Sequence, residues 1–130
     1  MSRPRDPKPA GLQEPGLLRV LEYIRENYKS QPANSLLALV LEKTEEELER
    51  KFSENLKMSP QDYVRRVRIR LASRDLLYAE MSLNQIATKH GFTSYEEFIE
   101  EFEKEMGESP RVYRMKLYTH GAIHATDGNL

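Results

Sequence analysis

The chain contains no cysteine among its 130 residues. This absence excludes disulfide bonds, a thiolate nucleophile and any zinc site with cysteine ligands. No apolar run approaches the roughly 20 residues that span a bilayer, and no hydrophobic segment follows Met1 as a secretion signal would. We therefore expect a cytoplasmic protein that does not interact with membranes.

An excess of charge of one sign is also missing, since the formal net charge is −1. The chain as a whole is not a polycation built to bind phosphates, so any interaction with nucleic acid depends on how the charges are distributed. Hydrophobic residues make up 38% of the chain and charged residues 32%, with a mean hydropathy of −0.72. Because the apolar residues recur in periodic blocks, this composition favours a soluble, helical domain over a disordered chain.

Sequence patterns typical of enzymes and cofactor sites are absent as well. No Ser/His/Asp set, glycine-rich phosphate loop or dinucleotide fingerprint occurs. His120 and His124 have the i, i+4 spacing of paired metal ligands, but they have no third ligand at a fixed spacing apart from Asp127. Glu97 and Glu101 have no histidine beside them for acid–base chemistry. We expect no enzymatic activity, no cofactor and no metal.

Helical spacing of apolar residues extends through the chain from Gly16 and predicts an all-α fold of seven helices. Thr44 and Ser82 are expected to begin helices as capping residues, while Gly91 and Gly107 are expected to end them. The predicted helices cover residues 16–28, 36–41, 44–57, 60–79, 82–90, 94–106 and 110–118.

The sequence also contains an internal repeat. A phenylalanine, a Ser-Pro pair and a tyrosine return after fifty residues, so that Phe52, Ser59, Pro60 and Tyr63 correspond to Phe102, Ser109, Pro110 and Tyr113. Each copy places a short helix, a tight turn and a longer helix in succession, which is the helix-turn-helix arrangement. We expect a disordered N-terminal arm, a first helix-turn-helix unit, a long linker helix, a second unit and a flexible tail. Their predicted bounds are 1–15, 16–59, 60–80, 81–118 and 119–130.

Two stretches of the sequence resemble a known family: GFTSYEEFIEEFEKEMGESPRVYR and MSPQDYVRRVRIRLASRDLL. The first is similar to the second-unit signature, and the second to the linker helix, of the DNA-binding domain of AraC/XylS bacterial transcription regulators. The resemblance covers about residues 17–118. It implies a sequence-specific transcription regulator that inserts the second helix of each unit in successive major grooves of double-stranded DNA.

The resemblance also implies a set of site residues. The residues expected to face base edges are Glu46, Glu49, Arg50, Glu96, Glu97 and Glu100. The residues expected to contact phosphates are Arg65, Arg66, Arg68 and Lys104. Structural roles are expected for Leu48, Phe52, Phe98, Phe102, Gly91 and Gly107. Arginine can make a bidentate contact to guanine, and glutamate can accept a hydrogen bond from cytosine N4.

Local charge opposes DNA binding by the second unit. Residues 93–110 contain seven glutamates against Lys104 alone, which sums to −6. Neutralising phosphates supplies much of the affinity for DNA, so an acidic helix in a groove works against binding. The alternative interpretation is a degenerate domain of this type whose acidic helices bind a basic protein surface or modulate another regulator. A further possibility is that linker arginines, such as Arg68 or Arg74, pair with these glutamates.

The two turns differ at one position. Glu42 stands in the first turn where the second turn has Gly91. Because a left-handed conformation costs a residue other than glycine about 1 kcal/mol, we expect the first turn to have an altered geometry.

Overall fold

The computed structural model describes residues 14–78 and 80–122. Most of the predicted arm and of the predicted tail, including His124 and Asp127, lies outside these residues. Seven α-helices and no strand occur in the described ranges, which confirms the predicted all-α fold. The helices are α1 Pro15–Asn27, α2 Asn34–Leu41, α3 Glu45–Leu56, α4 Pro60–Arg74, α5 Leu83–Lys89, α6 Tyr95–Met106 and α7 Pro110–Lys116.

Three helix ends differ from the prediction. α2 begins two residues early, at Asn34. α4 ends at Arg74 and continues as a 3-10 turn, Asp75–Leu77, where the sequence predicted an uninterrupted helix to about residue 79. α7 passes at its C-terminal end into a π-helical turn, Leu117–Ala122, which includes the first residues of the predicted tail.

The early end of α4 has a cause far away in the sequence. The guanidinium of Arg114 on α7 donates to the backbone carbonyls of Leu76 at 3.0 Å, Tyr78 at 2.8 Å and Met81 at 2.8 Å. Carbonyls at the end of a helix lack partners within the helix. Arg114 supplies donors to one carbonyl of the 3-10 turn and to two carbonyls of the loop that follows it, and so stabilises the path that the chain takes after α4.

The structure divides into two compact units. The first contains residues 14–27 and 32–64, and the second contains residues 28–31 together with the described residues from 65 onward. α4 therefore contributes to both units, its first five residues to one and its remainder to the other. The functional boundaries that the sequence suggests remain a prediction.

In the first unit the core forms between α1, α2 and α3. Leu48 and Phe52 on α3 are completely buried, and the ring of Phe52 meets that of Tyr63 edge-on at 6.0 Å. The other buried apolar residues of this unit are Leu17, Val20, Ile24, Leu37, Ala38, Leu41 and Val64.

In the second unit an aromatic series fills the core. Phe98 lies 5.0 Å from Phe92 and 5.7 Å from Phe102, measured between ring centroids. Phe102 meets Tyr113 edge-on at 5.5 Å, as Phe52 meets Tyr63 in the first unit. The remaining core residues are Ile69, Ala72, Leu76, Ile86 and Ala87. The repeat in the sequence therefore corresponds to a repeat in packing.

Candidate functional site

The two turns between paired helices have the same geometry. Glu42 has a φ of 66° and Gly91 a φ of 86°, both in the left-handed region. In each turn this residue donates its amide to the carbonyl three residues earlier, and the next amide donates to the carbonyl five residues earlier. These bonds measure 3.0 and 3.1 Å in the first turn and 3.2 and 3.1 Å in the second. The expectation of an altered first turn is therefore wrong.

Exposure explains why a glutamate is tolerated in the first turn. Glu42 is exposed, so the cost of its left-handed backbone, about 1 kcal/mol, is the main penalty. Gly91 is also constrained by space, because a Cβ there would lie 2.6 Å from the carbonyl oxygen of Lys29. The second turn thus requires glycine for close approach as well as for conformation.

The helix that follows the first turn, α3, has a capped beginning and one face exposed to solvent. Thr44 accepts a hydrogen bond from the amide of Glu47 at 3.1 Å, while the Glu47 carboxylate lies 3.6 Å from Arg50. Burial of one helix face leaves the opposite face to solvent. The exposed residues there are Glu45, Glu46, Glu49, Arg50 and Ser53.

Arg50 is the basic residue of that outer face. Its guanidinium lies between Glu47 at 3.6 Å and Glu54 at 3.7 Å, and its side chain is 54% exposed. Ion pairs this long and this exposed contribute little to stability. Arg50 can therefore exchange these carboxylates for a ligand at little cost.

The glutamates of α6 form two rows. An outer row, Glu96, Glu100 and Glu103, is exposed. A paired row, Glu97, Glu101 and Glu105, follows i, i+4, i+8 spacing and is only partly exposed. The sequence alone treats all six as one acidic surface, whereas in the structure half of them bind groups within the second unit.

Glu97 binds the beginning of its own helix. Its carboxylate accepts hydrogen bonds from the Thr93 amide at 2.7 Å and the Thr93 hydroxyl at 2.8 Å, and lies 3.8 Å from Arg68. Burial acts to raise the pKa of Glu97, but the bonds from Thr93 and the charge of Arg68 outweigh it and lower the pKa. Glu97 was predicted to face DNA bases, and the structure shows it bound to Thr93 instead.

Arg68 is buried. Its side chain is 4% exposed, its guanidinium lies 4.2 Å from the centroid of the Phe92 ring, and it binds Glu101 at 2.7 Å. Removing a buried charge from its partner is costly, so Arg68 is fixed in place. The prediction that Arg68 contacts phosphate is therefore wrong. Pairing with the glutamates of α6, the other possibility raised from the sequence, is what the structure shows.

Three other arginines lie along one face of α4 and form what we call the arginine row: Arg66, Arg70 and Arg74. Glu105 accepts hydrogen bonds from Arg70 and pairs with Arg66 at 2.9 Å. Of these three, Arg66 was among the phosphate contacts named from the sequence. Counting in steps of four from Arg66 places the other two on the same face of the helix. Of the other predicted phosphate contacts, Lys104 is exposed and Arg65 is partly buried.

A buried histidine precedes Gly91. The hydroxyl of Tyr28 lies 2.8 Å from His90 Nδ1, and Asp75 Oδ2 lies 2.8 Å from His90 Nε2. Asp75 also accepts a bond from Lys89 at 2.9 Å. Burial lowers the pKa of His90, and the Asp75 carboxylate offsets only part of that effect. Burial acts to raise the pKa of Asp75, but its bonds from His90 and Lys89 lower it overall.

Sequence analysis missed this cluster, because Tyr28 lies 62 residues from His90 and no local pattern joins them. Within residues 14–78 and 80–122, no three acidic or histidine side chains are grouped as metal ligands would be. None of the helices described there has the length and apolar character needed to span a bilayer.

Most of the sequence matches known proteins. The profile of the helix-turn-helix domain family matches residues 37–116. The chain is 30% identical over 105 residues to the HTH-type transcriptional activator RhaS of Yersinia pestis, covering 81% of this chain and 38% of RhaS. It spans 13% of the length of an uncharacterized HTH-type transcriptional regulator of Staphylococcus aureus, to which it is 29% identical over 96 residues. The chain thus spans well under half the length of these curated relatives.

Solved structures share the fold. The C-terminal domain of AraT, a response regulator from Geobacillus stearothermophilus, superposes with a TM-score of 0.71 at 27% identity, covering 78% of this chain and 85% of that one. The DNA-binding domain of AdpA, solved in complex with a target DNA, gives a TM-score of 0.74 at 22% identity, covering 82% and 96%. At that identity, the likeness to AdpA shows the fold alone.

Proposed function

The chain belongs to the AraC-type family of helix-turn-helix domains, and we propose that it is a transcription regulator that binds double-stranded DNA. The observation that carries the proposal is the matched pair of turns at Glu42 and Gly91. Each turn is followed by a helix with one face buried and the other open to solvent. This role requires no catalytic activity. A regulator of this kind acts on the chromosome, in the bacterial cytoplasm.

The first unit is the better suited to read bases. The exposed guanidinium of Arg50 can form the bidentate contact that guanine accepts at O6 and N7. Glu46 and Glu49 are exposed beside it, and a carboxylate can accept a hydrogen bond from cytosine N4. We propose that α3 makes the base contacts that select a DNA sequence, with Arg65, Arg66 and Lys104 as phosphate contacts.

The second unit contributes less to affinity. The outer row of α6 adds three carboxylates to any groove that the helix enters, and screening at physiological salt reaches only about 8 Å. Groove atoms lie within that distance, so repulsion from phosphates remains. Glu96 and Glu100 are therefore candidates for cytosine contacts that select sequence at a cost in affinity.

Selection of a bound duplex from a random pool, followed by titration of that duplex, tests this proposal. We expect Arg50→Ala to lose about 1–3 kcal/mol of discrimination at one base pair. Arg25→Ala removes an exposed arginine from α1 and serves as the control, with unchanged discrimination. If the native chain retained no duplex even at about 50 mM salt, where non-specific binding is strongest, the proposal would be wrong.

One observation favours a second candidate function. The exposed glutamates Glu96, Glu100 and Glu103 have no basic partner in the described part of the chain, so they are free to bind a basic protein surface. We expect reversal of all three to lysine to abolish such an association while strengthening DNA binding. A partner that stayed bound to the reversed variant would exclude this surface as its binding site.

A further inference from the structure

The arginine row presents three guanidinium groups along α4. Arg66, Arg70 and Arg74 are four residues apart, so their side chains lie on one face with about 6 Å of helix rise between neighbours. The side chains of Arg66 and Arg70 are 45% and 57% exposed. Arg74 is exposed, and no carboxylate in the described residues pairs with it.

One carboxylate serves two members of this row. Glu105 Oε2 lies 2.9 Å from Arg66 Nε, 3.2 Å from Arg70 Nε and 3.0 Å from a terminal nitrogen of Arg70. Glu105 itself is only 15% exposed, so α6 holds it against α4. A guanidinium has five N–H donors, and these contacts use one from Arg66 and two from Arg70. The two arginines therefore keep unused donors and, together with Glu105, a net charge of +1.

We propose that Arg66, Arg70 and Arg74 form a binding surface for the phosphates of one DNA strand, and that Glu105 competes with those phosphates for Arg66 and Arg70. The inference rests on the proposed function and adds to it a surface and an internal competitor. A phosphate oxygen accepts hydrogen bonds from the same guanidinium N–H groups that now contact Glu105 Oε2, so phosphate can replace Glu105 without a change in the arginine donors.

Arg68 shows why the competition concerns only the exposed row. Its pair with Glu101 is shorter, at 2.7 Å, and its side chain is 4% exposed. No phosphate can reach that guanidinium while the fold is intact. The guanidinium groups of Arg66 and Arg70 are about half exposed, so water already solvates them and a phosphate can approach them from solvent.

The salt dependence of DNA binding, measured on the full chain with the selected duplex, tests the inference. Glu105→Gln removes the competitor, and we expect several-fold tighter binding at about 50 mM salt. We also expect a log–log salt slope steeper by about 0.9 to 1.8, which is one or two additional phosphate contacts. Glu26→Gln on α1 makes the same change in net charge at an exposed position and should leave the slope unchanged.

Two further variants identify the surface. In the triple variant Glu105→Gln with Arg66→Gln and Arg70→Gln, the gain in affinity and slope should disappear. Arg74→Gln should make the slope shallower by about 0.9, and it can be interpreted even if Glu105→Gln fails to fold. Wild-type slopes for both Glu105→Gln and Arg74→Gln, with DNA binding retained, would overturn this inference alone. Loss of all duplex binding by the native chain would instead overturn the proposed function.

Discussion

At the scale of single residues, Gly91 and Gly107 share a backbone conformation but differ in their surroundings. Their φ values are 86° and 84°. A Cβ at Gly91 would lie 2.6 Å from the carbonyl oxygen and 3.0 Å from the Cα of Lys29, whereas a Cβ at Gly107 would meet no atom within 4 Å. Substitutions at the two positions therefore separate the free-energy cost of a left-handed backbone from the cost of a steric clash with neighbouring atoms.

Alanine at each position measures these two costs. Gly107→Ala should reduce the free energy of unfolding by about 1 kcal/mol, the penalty of a left-handed alanine. Gly91→Ala should lose about 1–3 kcal/mol more, because backbone atoms near Lys29 must shift to admit the methyl group. Urea unfolding with unchanged m-values measures both. Equal losses at the two sites would show that the close approach to Lys29 has no energetic consequence.

At the scale of elements, the first unit repeats the turns of the second without their glycines. Glu42 and Lys57 have φ values of 66° and 60° at the positions that correspond to Gly91 and Gly107. Both side chains are exposed. The geometry of these helix ends is thus kept in the first unit at the expense of two unfavourable backbone conformations.

Glycine at either position should stabilise the protein. We expect Glu42→Gly and Lys57→Gly each to raise the free energy of unfolding by about 0.5–1 kcal/mol, since relief of the left-handed strain exceeds the entropy that glycine adds to the unfolded chain. Ser53→Gly, at an exposed position within α3, is the control and should destabilise by about 0.5 kcal/mol. Destabilisation by all three substitutions would contradict the strain at Glu42 and Lys57. Thermal and urea unfolding measure the changes.

The elements also show what the sequence can predict. The apolar stripe and capping residue of α3 are both local signals, so periodicity placed that helix within about one residue. The end of α4 was mispredicted because Arg114, which binds the carbonyls beyond it, comes from α7. Likewise, spacing identifies Glu97, Glu101 and Glu105 as one row and suggests linker arginines as partners, but which arginine binds which glutamate follows only from the packing of α6 against α4.

At the scale of the whole molecule, a net charge of −1 conceals strong local compensation. In the second unit, the glutamates of the paired row contact Arg66, Arg68 and Arg70. The acidic sum for residues 93–110 therefore overstates the charge that a partner meets, because only the outer row stays uncompensated. The glutamates of the paired row neutralise arginines of the same unit, so their charge contributes little to the binding of a partner.

Partly buried ionisable groups of the second unit make the stability of the molecule depend on pH. The carboxyls with lowered pKa values, Asp75 and Glu97, lose their contribution only below their ordinary values of 3.8 and 4.5. His90 acts in a higher range. Because burial lowers its pKa below 6.5, the unfolded chain binds a proton more readily than the folded chain. The contribution of His90 is complete above 6.5 and is lost as the pH falls through its folded pKa.

Replacement of His90 tests this assignment. Between about pH 7.5 and pH 5.5, the native chain should lose free energy of unfolding, and His90→Gln should lose markedly less because it has no imidazole to protonate. Tyr28→Phe removes the hydroxyl 2.8 Å from Nδ1 but keeps the buried imidazole, so it should be less stable at both pH values and keep the native pH dependence. The other two histidines, His120 and His124, are present in every variant and cancel in the comparison. A His90→Gln variant with the full native pH dependence would show that protonation elsewhere destabilises the fold.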